Sequence, residues 1–248
     1  MIRQAYRASL LHALADPCRA PAAEAWAFHE DGLLVVEGGH IAAFGAYADL
    51  APTLGDAVVE DLSGKLITPG FVDAHIHYPQ TDVIAAWGSQ LLDWLTHHTF
   101  PAELAFADRA HADEAAAFFC DELLRNGTTS ALVFGTVHKT SVEALFEAAL
   151  ARNMRLIAGK VLMDRHAPAG LTDTVASGRA DTEGLIRAWR CRGRLGYAIT
   201  PRWAVTSTDA QLTMAGEVAA AHPDVLIHTH MSENLDEIAR VAELFPDC

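Results

Sequence analysis

From Thr68-Pro69-Gly70 onward, short apolar runs alternate with longer stretches of helical periodicity. Each apolar run is bounded by turn residues, which predicts strands separated by helices. This alternation indicates βα units around a parallel sheet and so restricts this part of the chain to an α/β fold. The five predicted strands cover residues 71–75, 128–134, 155–161, 195–200 and 225–229.

The clearest helical stretch covers residues 108–126. Ala116, Cys120 and Leu123 recur at the spacing of one helix face, which predicts a buried apolar stripe. The pair Asn126-Gly127 then supplies a stop, because both residues tolerate the left-handed conformation in which many helices end. We therefore expect a helix with one buried side here.

Eight βα units close a (β/α)8 or TIM barrel, and only about five are visible in this chain. Each unit takes about 35 residues, so about three units are missing when the chain reaches Cys248. We predict that residues 69–248 form the first part of such a barrel within a longer protein. The alternative, an open doubly wound sheet, normally has a glycine-rich turn after its first strand, and none follows residues 71–75.

Residues 1–68 are predicted to form a small β module. Apolar runs at 33–36 and 41–44 flank the Gly38-Gly39 pair, a combination that is typical of a hairpin. Residues 5–15 are ambiguous, since their propensity slightly favours a helix whereas their position beside a hairpin favours a strand. We predict a strand.

The charge of the chain restricts its partners. The 248 residues carry a formal net charge of −14 with only 18 Lys and Arg, while 51% of the residues are hydrophobic. The average surface therefore repels a nucleic-acid backbone, although a free base or nucleoside is compatible with it. A sizeable core is expected.

Cysteine usage and hydropathy predict a cytoplasmic protein without a membrane partner. There is no Cys-x-x-Cys pair, so neither a thiolate zinc site nor a disulfide framework is indicated. The N-terminal apolar stretch is too weak for a secretory signal, and no segment approaches the roughly 20 apolar residues that cross a bilayer. The four cysteines are Cys18, Cys120, Cys191 and Cys248.

Two histidines end the first predicted strand of the barrel region. Alternation along a strand turns His75 and His77 to the same face, where two neutral imidazoles could hold a divalent metal. Catalytic groups of such barrels gather at this end of the strands. Without further context, a His-x-His pair is more often solvated or hydrogen-bonded than metal-bound.

A second cluster, His228-Thr229-His230-Met231-Ser232-Glu233-Asn234, follows the fifth predicted strand and faces the same mouth. Either His228 or His230 could supply a third ligand, but only His230 has a carboxylate three residues later. Glu233 could move protons to and from a bound water and a leaving amine. Its alternative role is a helix N-terminal carboxylate stabilised by the helix dipole. His228 is predicted to be a core or supporting residue.

Several segments together resemble guanine deaminases of the amidohydrolase superfamily, and the resemblance spans nearly the whole chain. The His-x-His element is shared across the superfamily, whereas the other motifs narrow the resemblance to the guanine branch. They are PGFVDAHIHYPQ at 69–80, Met163-Asp164-Arg165 with His166-Ala167-Pro168, the turn Pro201-Arg202-Trp203, and HTHMSEN at 228–234.

The resemblance implies one zinc ion per chain, bound by His75, His77 and His230, with Glu233 as proton shuttle. It implies that Gln80, Arg202 and Trp203 contact the purine, and that the protein is a homodimer. It also implies a further His and Asp ligand beyond Cys248, and more strands that complete the β module as a composite β-sandwich. Without it, Gln80 would be an ordinary loop residue, Arg202 a surface charge and Trp203 a core residue.

The implied function is hydrolytic deamination of guanine to xanthine and ammonia. Histidine and carboxylate donors also accept iron or manganese, so the residues alone leave the metal open. Alternatives that remain open are another aminohydrolase or a chlorohydrolase acting on a pyrimidine, an adenosine derivative or a triazine, and a non-catalytic purine-binding fragment. A polynucleotide deaminase is disfavoured by the acidic surface and by the lack of an HxE…PCxxC pattern.

Overall fold

A computed structural model describes residues 3–55, 57–87 and 90–246 of the chain. Cys248 lies outside the described residues. The chain divides into two compact units, residues 1–70 and 71–248. Within the described ranges, no helix is long and apolar enough to cross a membrane.

The N-terminal unit is a four-stranded sheet in the order β3-β2-β1-β4. Both β1 with β2 and β2 with β3 pair antiparallel, and β1 pairs with β4 in parallel. Its small core joins Ala5, Leu33, Val35 and Leu54. The elements are β1 (Arg3–Ala13), α1 (Ala22–Ala25), β2 (Trp26–Glu37), β3 (His40–Ala46), α2 (Tyr47–Leu50), a 3-10 turn (Ala51–Thr53) and β4 (Val59–Ile67).

The strand predicted over residues 5–15 forms β1, and the predicted hairpin forms β2 and β3. Gly38 and Gly39 connect these two strands with φ of 58° and 83°. Two successive positive φ angles match the right-handed twist of the flanking strands, and glycine adopts them without steric cost.

The second unit is a parallel sheet in the order β10-β9-β7-β6-β5, with β8 paired to β9. Its helices follow its strands in the alternating pattern that the sequence predicts. The strands are β5 (Phe71–His77), β6 (Thr128–Phe134), β7 (Arg155–Gly159), β8 (Val161–Leu162), β9 (Gly196–Pro201) and β10 (Leu226–Ile227). The helices are α3 (Leu91–Trp94), α4 (Phe100–Ala105), α5 (Arg109–Arg125), α6 (Lys139–Ala151), α7 (Val175–Trp189), α8 (Asp209–Ala221) and α9 (Leu235–Leu244).

The helix predicted over residues 108–126 is α5. Asp108 caps its start by accepting a hydrogen bond from the backbone N–H of Ala110, and Gly127 follows its end with φ of 83°. The predicted stripe of Ala116, Cys120 and Leu123 is buried in the main core. That core lies between the sheet and helices α5 to α8 and holds most of the buried apolar residues described in this unit.

Two of the predicted strands are interrupted or strongly shortened in the structure. The run 155–161 divides into β7 and β8 at Lys160, because the backbone N–H of Lys160 donates to the Tyr197 hydroxyl at 3.1 Å and so leaves the strand ladder. The run 225–229 keeps only Leu226–Ile227 as strand, since the N–H of Val225 bonds to the carbonyl of His222. The segment 91–105, for which no element was predicted, forms α3, a π turn (Leu95–Thr99) and α4.

Candidate metal centre and adjoining cavity

Three imidazoles meet at the carboxyl ends of the outer strands. His77 Nε2 lies 3.0 Å from His230 Nε2, and His230 Nε2 lies 3.2 Å from His75 Nε2. His75 and His77 come from the end of β5, and His230 follows β10. The side chains that the sequence predicts as metal ligands are therefore brought together.

The meeting of these residues requires a strongly curled sheet. β5 and β10 stand at opposite ends of the strand order, four steps apart. Steps of about 4.8 Å would separate the two strands by about 19 Å in a flat sheet. Their histidines nevertheless touch, so the strands bend around a common interior as they do in a barrel. Within the described residues the sheet remains an open arc.

The main chain orients His230. Its Nδ1 lies 2.9 Å from the carbonyl oxygen of Arg202, and its backbone N–H donates to the same oxygen at 3.0 Å. A carbonyl only accepts, so Nδ1 carries the proton and the lone pair is left on Nε2. That lone pair faces the other two imidazoles.

His228 supports His75 from the buried side. Its ring is only 7% exposed, and its Nε2 lies 3.2 Å from Nδ1 of His75. A neutral His75 that directs its Nε2 lone pair towards His230 carries its proton on Nδ1 and donates it to His228. His228 is therefore buried and in contact with one of the three converging histidines, a location that fits a core or supporting residue.

Burial favours the neutral form of His77, His228 and His230. It lowers the pKa of His77 well below its ordinary value, and lowers the pKa values of His228 and His230 to about 4. The buried ring of Phe134, at the end of β6, stacks on His77 with centroids 4.6 Å apart and contacts His230 at 4.2 Å. Neutral imidazoles are the form that binds metals.

The donor set fits a divalent metal ion. One nitrogen from each of His75, His77 and His230 lies within 4.8 Å of the other two. Two nitrogens that bind one tetrahedral ion at about 2.0–2.1 Å are about 3.3 Å apart, close to the 3.0 and 3.2 Å separations between the Nε2 atoms. The residues can therefore hold a metal centre.

Glu233 lies beside the three imidazoles on the loop before α9. Burial raises the pKa of its carboxyl, the neighbouring carboxylate of Glu237 adds to this rise, and His75 and Arg202 oppose it. A carboxyl with a raised pKa is better suited to accept and return a proton near neutral pH.

Glu237 fixes the loop that carries Glu233. Its side chain is buried and accepts from the backbone N–H groups of Ser232 at 3.0 Å and Glu233 at 2.5 Å. Asn234 caps the same helix by accepting from the N–H of Glu237 at 2.8 Å. Glu233 itself thus precedes the cap, and a different carboxylate, Glu237, bonds the free backbone donors at this helix end.

A cavity of about 270 Å³ adjoins the three imidazoles. All seven residues that the sequence analysis proposes as ligands, proton shuttle or purine contacts line it. Sequence reasoning missed three apolar side chains of its wall, all from the segment 91–95. The complete lining is His75, His77, Gln80, Leu91, Trp94, Leu95, Arg202, Trp203, His230 and Glu233.

Arg202 and Trp203 are buried rather than at the surface, with 3% and 4% of their area exposed. Arg202 Nη1 donates to both carboxylate oxygens of Glu103, at 2.7 and 2.9 Å. Trp203 packs in a core cluster with Phe134 and Met163 while it lines the cavity. Its predicted core role and its predicted contact with the cavity are therefore compatible.

The motif Met163-Asp164-Arg165 holds the turn after Trp203. Asp164 accepts from the backbone N–H of Thr208 at 2.8 Å, and Arg165 donates to the carbonyl oxygens of Ala204 and Val205 at 2.9 and 3.2 Å. These bonds connect two loops at the carboxyl ends of the sheet. Met163, Asp164 and Arg165 do not line the cavity themselves. Their motif instead holds the loop that carries Arg202 and Trp203, which do line it.

Comparison with known proteins places this site in a family. The profile of the amidohydrolase family matches residues 66–248. The chain belongs to the amidohydrolase family. It is 53% identical over 226 residues to the guanine deaminase of Escherichia coli (strain K12), a match that covers 91% of this chain and 52% of that protein.

Solved structures agree with the amidohydrolase assignment. The E. coli guanine deaminase structure matches with a TM-score of 0.93 and 47% identity over all of this chain and 56% of that one. A guanine deaminase from C. acetobutylicum with guanine bound in its active site matches with a TM-score of 0.88 and 27% identity, over 100% of this chain and 57% of that one. The predicted fold class, a (β/α)8 barrel present in part, is thereby confirmed.

The chain spans about half the length of the curated relatives it matches, 52% of the E. coli enzyme. The matched region of the amidohydrolase family begins at residue 66, close to the boundary between the two compact units at residue 70.

Proposed function

We propose that this protein is part of, or constitutes, a zinc-dependent guanine deaminase that hydrolyses guanine to xanthine and ammonia. The observation that supports the proposal is the shared cavity: three converging imidazoles, a carboxyl of raised pKa, and polar groups of base-recognising type all line one space of about 270 Å³. The similarity to guanine deaminases, one of them with bound guanine, supports the choice of substrate.

We assign the zinc ligands as His75, His77 and His230, whose Nε2 lone pairs converge. Zinc in such a site supplies a water that ionises near neutral pH. The carbonyl of Arg202 keeps His230 in the required tautomer, and His228 Nε2 is placed to accept the proton on Nδ1 of His75.

Gln80 and Arg202 are assigned to the recognition of guanine. The amide of Gln80 offers both a donor and an acceptor, which complements the amide-like edge of the base. Arg202 offers donors to the carbonyl oxygen of guanine. Trp94 and Trp203, which also line the cavity, offer flat apolar surfaces to the ring.

Glu233 is assigned to proton transfer. Its carboxylate would accept a proton from the attacking water and pass it to the ring nitrogen beside the reacting carbon. It would then accept the second proton from the added hydroxyl group and pass it to the departing amine. The raised pKa of Glu233 favours this exchange, because it brings the carboxyl closer to the pH at which the group must both accept and release a proton.

The direct test is a substrate panel with the purified protein. We expect ammonia and xanthine from guanine, about one zinc per chain, and loss of turnover after chelation with recovery on adding zinc. Turnover of a pyrimidine, an adenosine derivative or a triazine in place of guanine would reassign the substrate. A zinc-free, inert protein that still binds guanine would indicate a non-catalytic purine-binding protein. Gln80→Ala should lower kcat/KM for guanine by about tenfold or more if Gln80 contacts the base.

A further inference from the structure

A buried ion pair stands behind the arginine that lines the cavity. Glu103, in α4, is 0% exposed, and Arg202, directly after β9, is 3% exposed. The residues are 99 positions apart in sequence, and both oxygens of Glu103 accept from the single nitrogen Nη1 of Arg202. Arg202 lines the cavity, whereas Glu103 does not.

This ion pair is a weak device for stability. Removing two charges from water costs several kcal/mol per ion, and apolar replacements of similar volume are often neutral or stabilising. Burial raises the pKa of Glu103, and the nearby guanidinium of Arg202 only partly opposes this rise. The cost of removing the carboxylate from water therefore exceeds what Arg202 returns to it. Because the pair adds little stability, we look for its role in the adjoining cavity, which Arg202 lines.

The geometry leaves part of the guanidinium free. Glu103 uses only Nη1, and Nε and Nη2 of Arg202 make no hydrogen bond to the described residues. The ring of Phe100, from the same helix as Glu103, lies under the guanidinium carbon at 5.5 Å. The planar group is thus held from one end and one face while two of its nitrogens keep donors for a ligand.

The pair also removes the net positive charge from this side of the cavity. The remaining wall consists of Gln80 and apolar or aromatic side chains from 91–95 and 203, together with the carboxyl of Glu233 on the imidazole side. A ligand here meets directional donors without an uncompensated cation. Such a wall stabilises a neutral carbonyl compound and gives no advantage to an anion.

We propose that Glu103 is a positioning residue that makes Arg202 a fixed, charge-compensated donor and so makes the cavity select neutral heterocycles over anionic ones. The proposal rests on the proposed function. Guanine is neutral, whereas the product xanthine loses a proton more readily because its ring carries an additional carbonyl. The pair would therefore favour the substrate over the ionised product.

The test compares Glu103→Gln with the unaltered protein in two binding measurements. The amide removes the compensating charge but keeps the size of the side chain. We expect KM, and Kd in calorimetry, to rise about tenfold for guanine because the donors of Arg202 lose their orientation. At a pH where xanthine is ionised, we expect its Kd in calorimetry to fall about tenfold because Arg202 now carries an uncompensated charge.

A matched control is Asp173→Asn. It breaks a second ion pair of this unit, between the buried Lys160 and the partly buried Asp173, neither of which lines the cavity. A purely structural role for Glu103 predicts that both variants lower the Tm and leave the guanine-to-xanthine preference unchanged. The positioning role predicts a changed preference in the Glu103 variant alone.

A second variant keeps the inference testable if Glu103→Gln does not fold. Glu103→Asp retains the charge but shortens the side chain, so the guanine Kd should rise while xanthine binding stays weak. Unaltered values for guanine in either folded variant would overturn the inference. Absence of guanine turnover in the unaltered protein would instead overturn the proposed function, and the two binding constants would still decide the role of Glu103.

Discussion

The two sides of the cavity differ in how their residues are held. The imidazole wall, His75, His77 and His230, comes from the two outermost strands of the sheet, and His75 is exposed to solvent. The arginine wall, Arg202 and Trp203, follows the interior strand β9 and is almost fully buried. The first wall depends on the curvature of the whole sheet, whereas the second is fixed by local buried contacts.

This difference indicates that the imidazole wall needs a bound metal ion to hold it together, whereas the arginine wall does not. A metal ion would tie together strand ends that only the bend of the sheet brings into contact, so metal binding and folding of this wall should be coupled. The arginine wall needs no such help, because Glu103 and the loops around Asp164 already hold it. The variants below test this division.

The largest effect is expected from removing one imidazole. His230→Ala should abolish metal binding and lower guanine turnover by more than the 10–100-fold that loss of a supporting contact costs. Guanine binding at the arginine wall should change only a few-fold. Metal analysis, ammonia release and calorimetry measure these effects. His40→Ala, at the exposed start of β3, is the control. Full metal content in His230→Ala would refute the assigned ligand.

A smaller but still large effect is expected from Glu233→Gln. It should lower kcat by about 10²–10⁴-fold, the usual contribution of a proton-transfer group, and leave metal content and KM almost unchanged. Steady-state kinetics with metal analysis measures this. Asp236→Asn, in the first turn of the same helix, is the matched control. If Glu233 serves only the helix dipole, both variants would change the Tm and neither would change kcat.

His228 should affect the imidazole wall alone. His228→Leu removes the acceptor of the His75 Nδ1–H and should raise the metal Kd about 10–100-fold. His228→Gln keeps an acceptor and should restore affinity to within a few-fold. Competition with a chelating dye measures both constants. Equal affinities in the Leu and Gln variants would indicate that the contact between the two rings, 3.2 Å apart, has no supporting role.

The smallest effect concerns the stability of the arginine wall. Arg202→Met alone should lower the free energy of unfolding by about 3–5 kcal/mol, because Glu103 is left buried and unpaired. Combining Arg202→Met with Glu103→Leu should restore the free energy of unfolding of the unaltered protein or exceed it by about 1–4 kcal/mol. Both variants should lose guanine binding, because both lack the donors of Arg202. Urea unfolding measures both. A double variant as unstable as the single one would mean that the pair is kept for folding.

Features that depend on a local sequence pattern could be predicted from the sequence. Strand alternation and the rule that parallel strands end at one face bring His75, His77 and His230 to one mouth, and the stop at Asn126-Gly127 gives the end of α5. The spacing from Asn234 to Glu237 also matches a helix-capping pattern, and the side chain of Asn234 accepts from the N–H of Glu237.

Other features have no local signal. Glu103 meets Arg202 across 99 positions, and no pattern around either residue indicates the partner of the other. The break at Lys160 arises because a tyrosine hydroxyl on β9 competes for its N–H, a contact that only the folded sheet creates. Trp94 lies in an apolar stretch whose composition fits a core as well as a cavity wall.

The carbonyl oxygen of Arg202 also serves the opposite wall, because it fixes the ring of His230. This contact belongs to the peptide group, so every amino acid at position 202 that preserves the local backbone retains it. Substitutions there can change which base is held while the metal ligand keeps its orientation. Selection for a new substrate can therefore act at position 202 without dismantling the chemistry next to it.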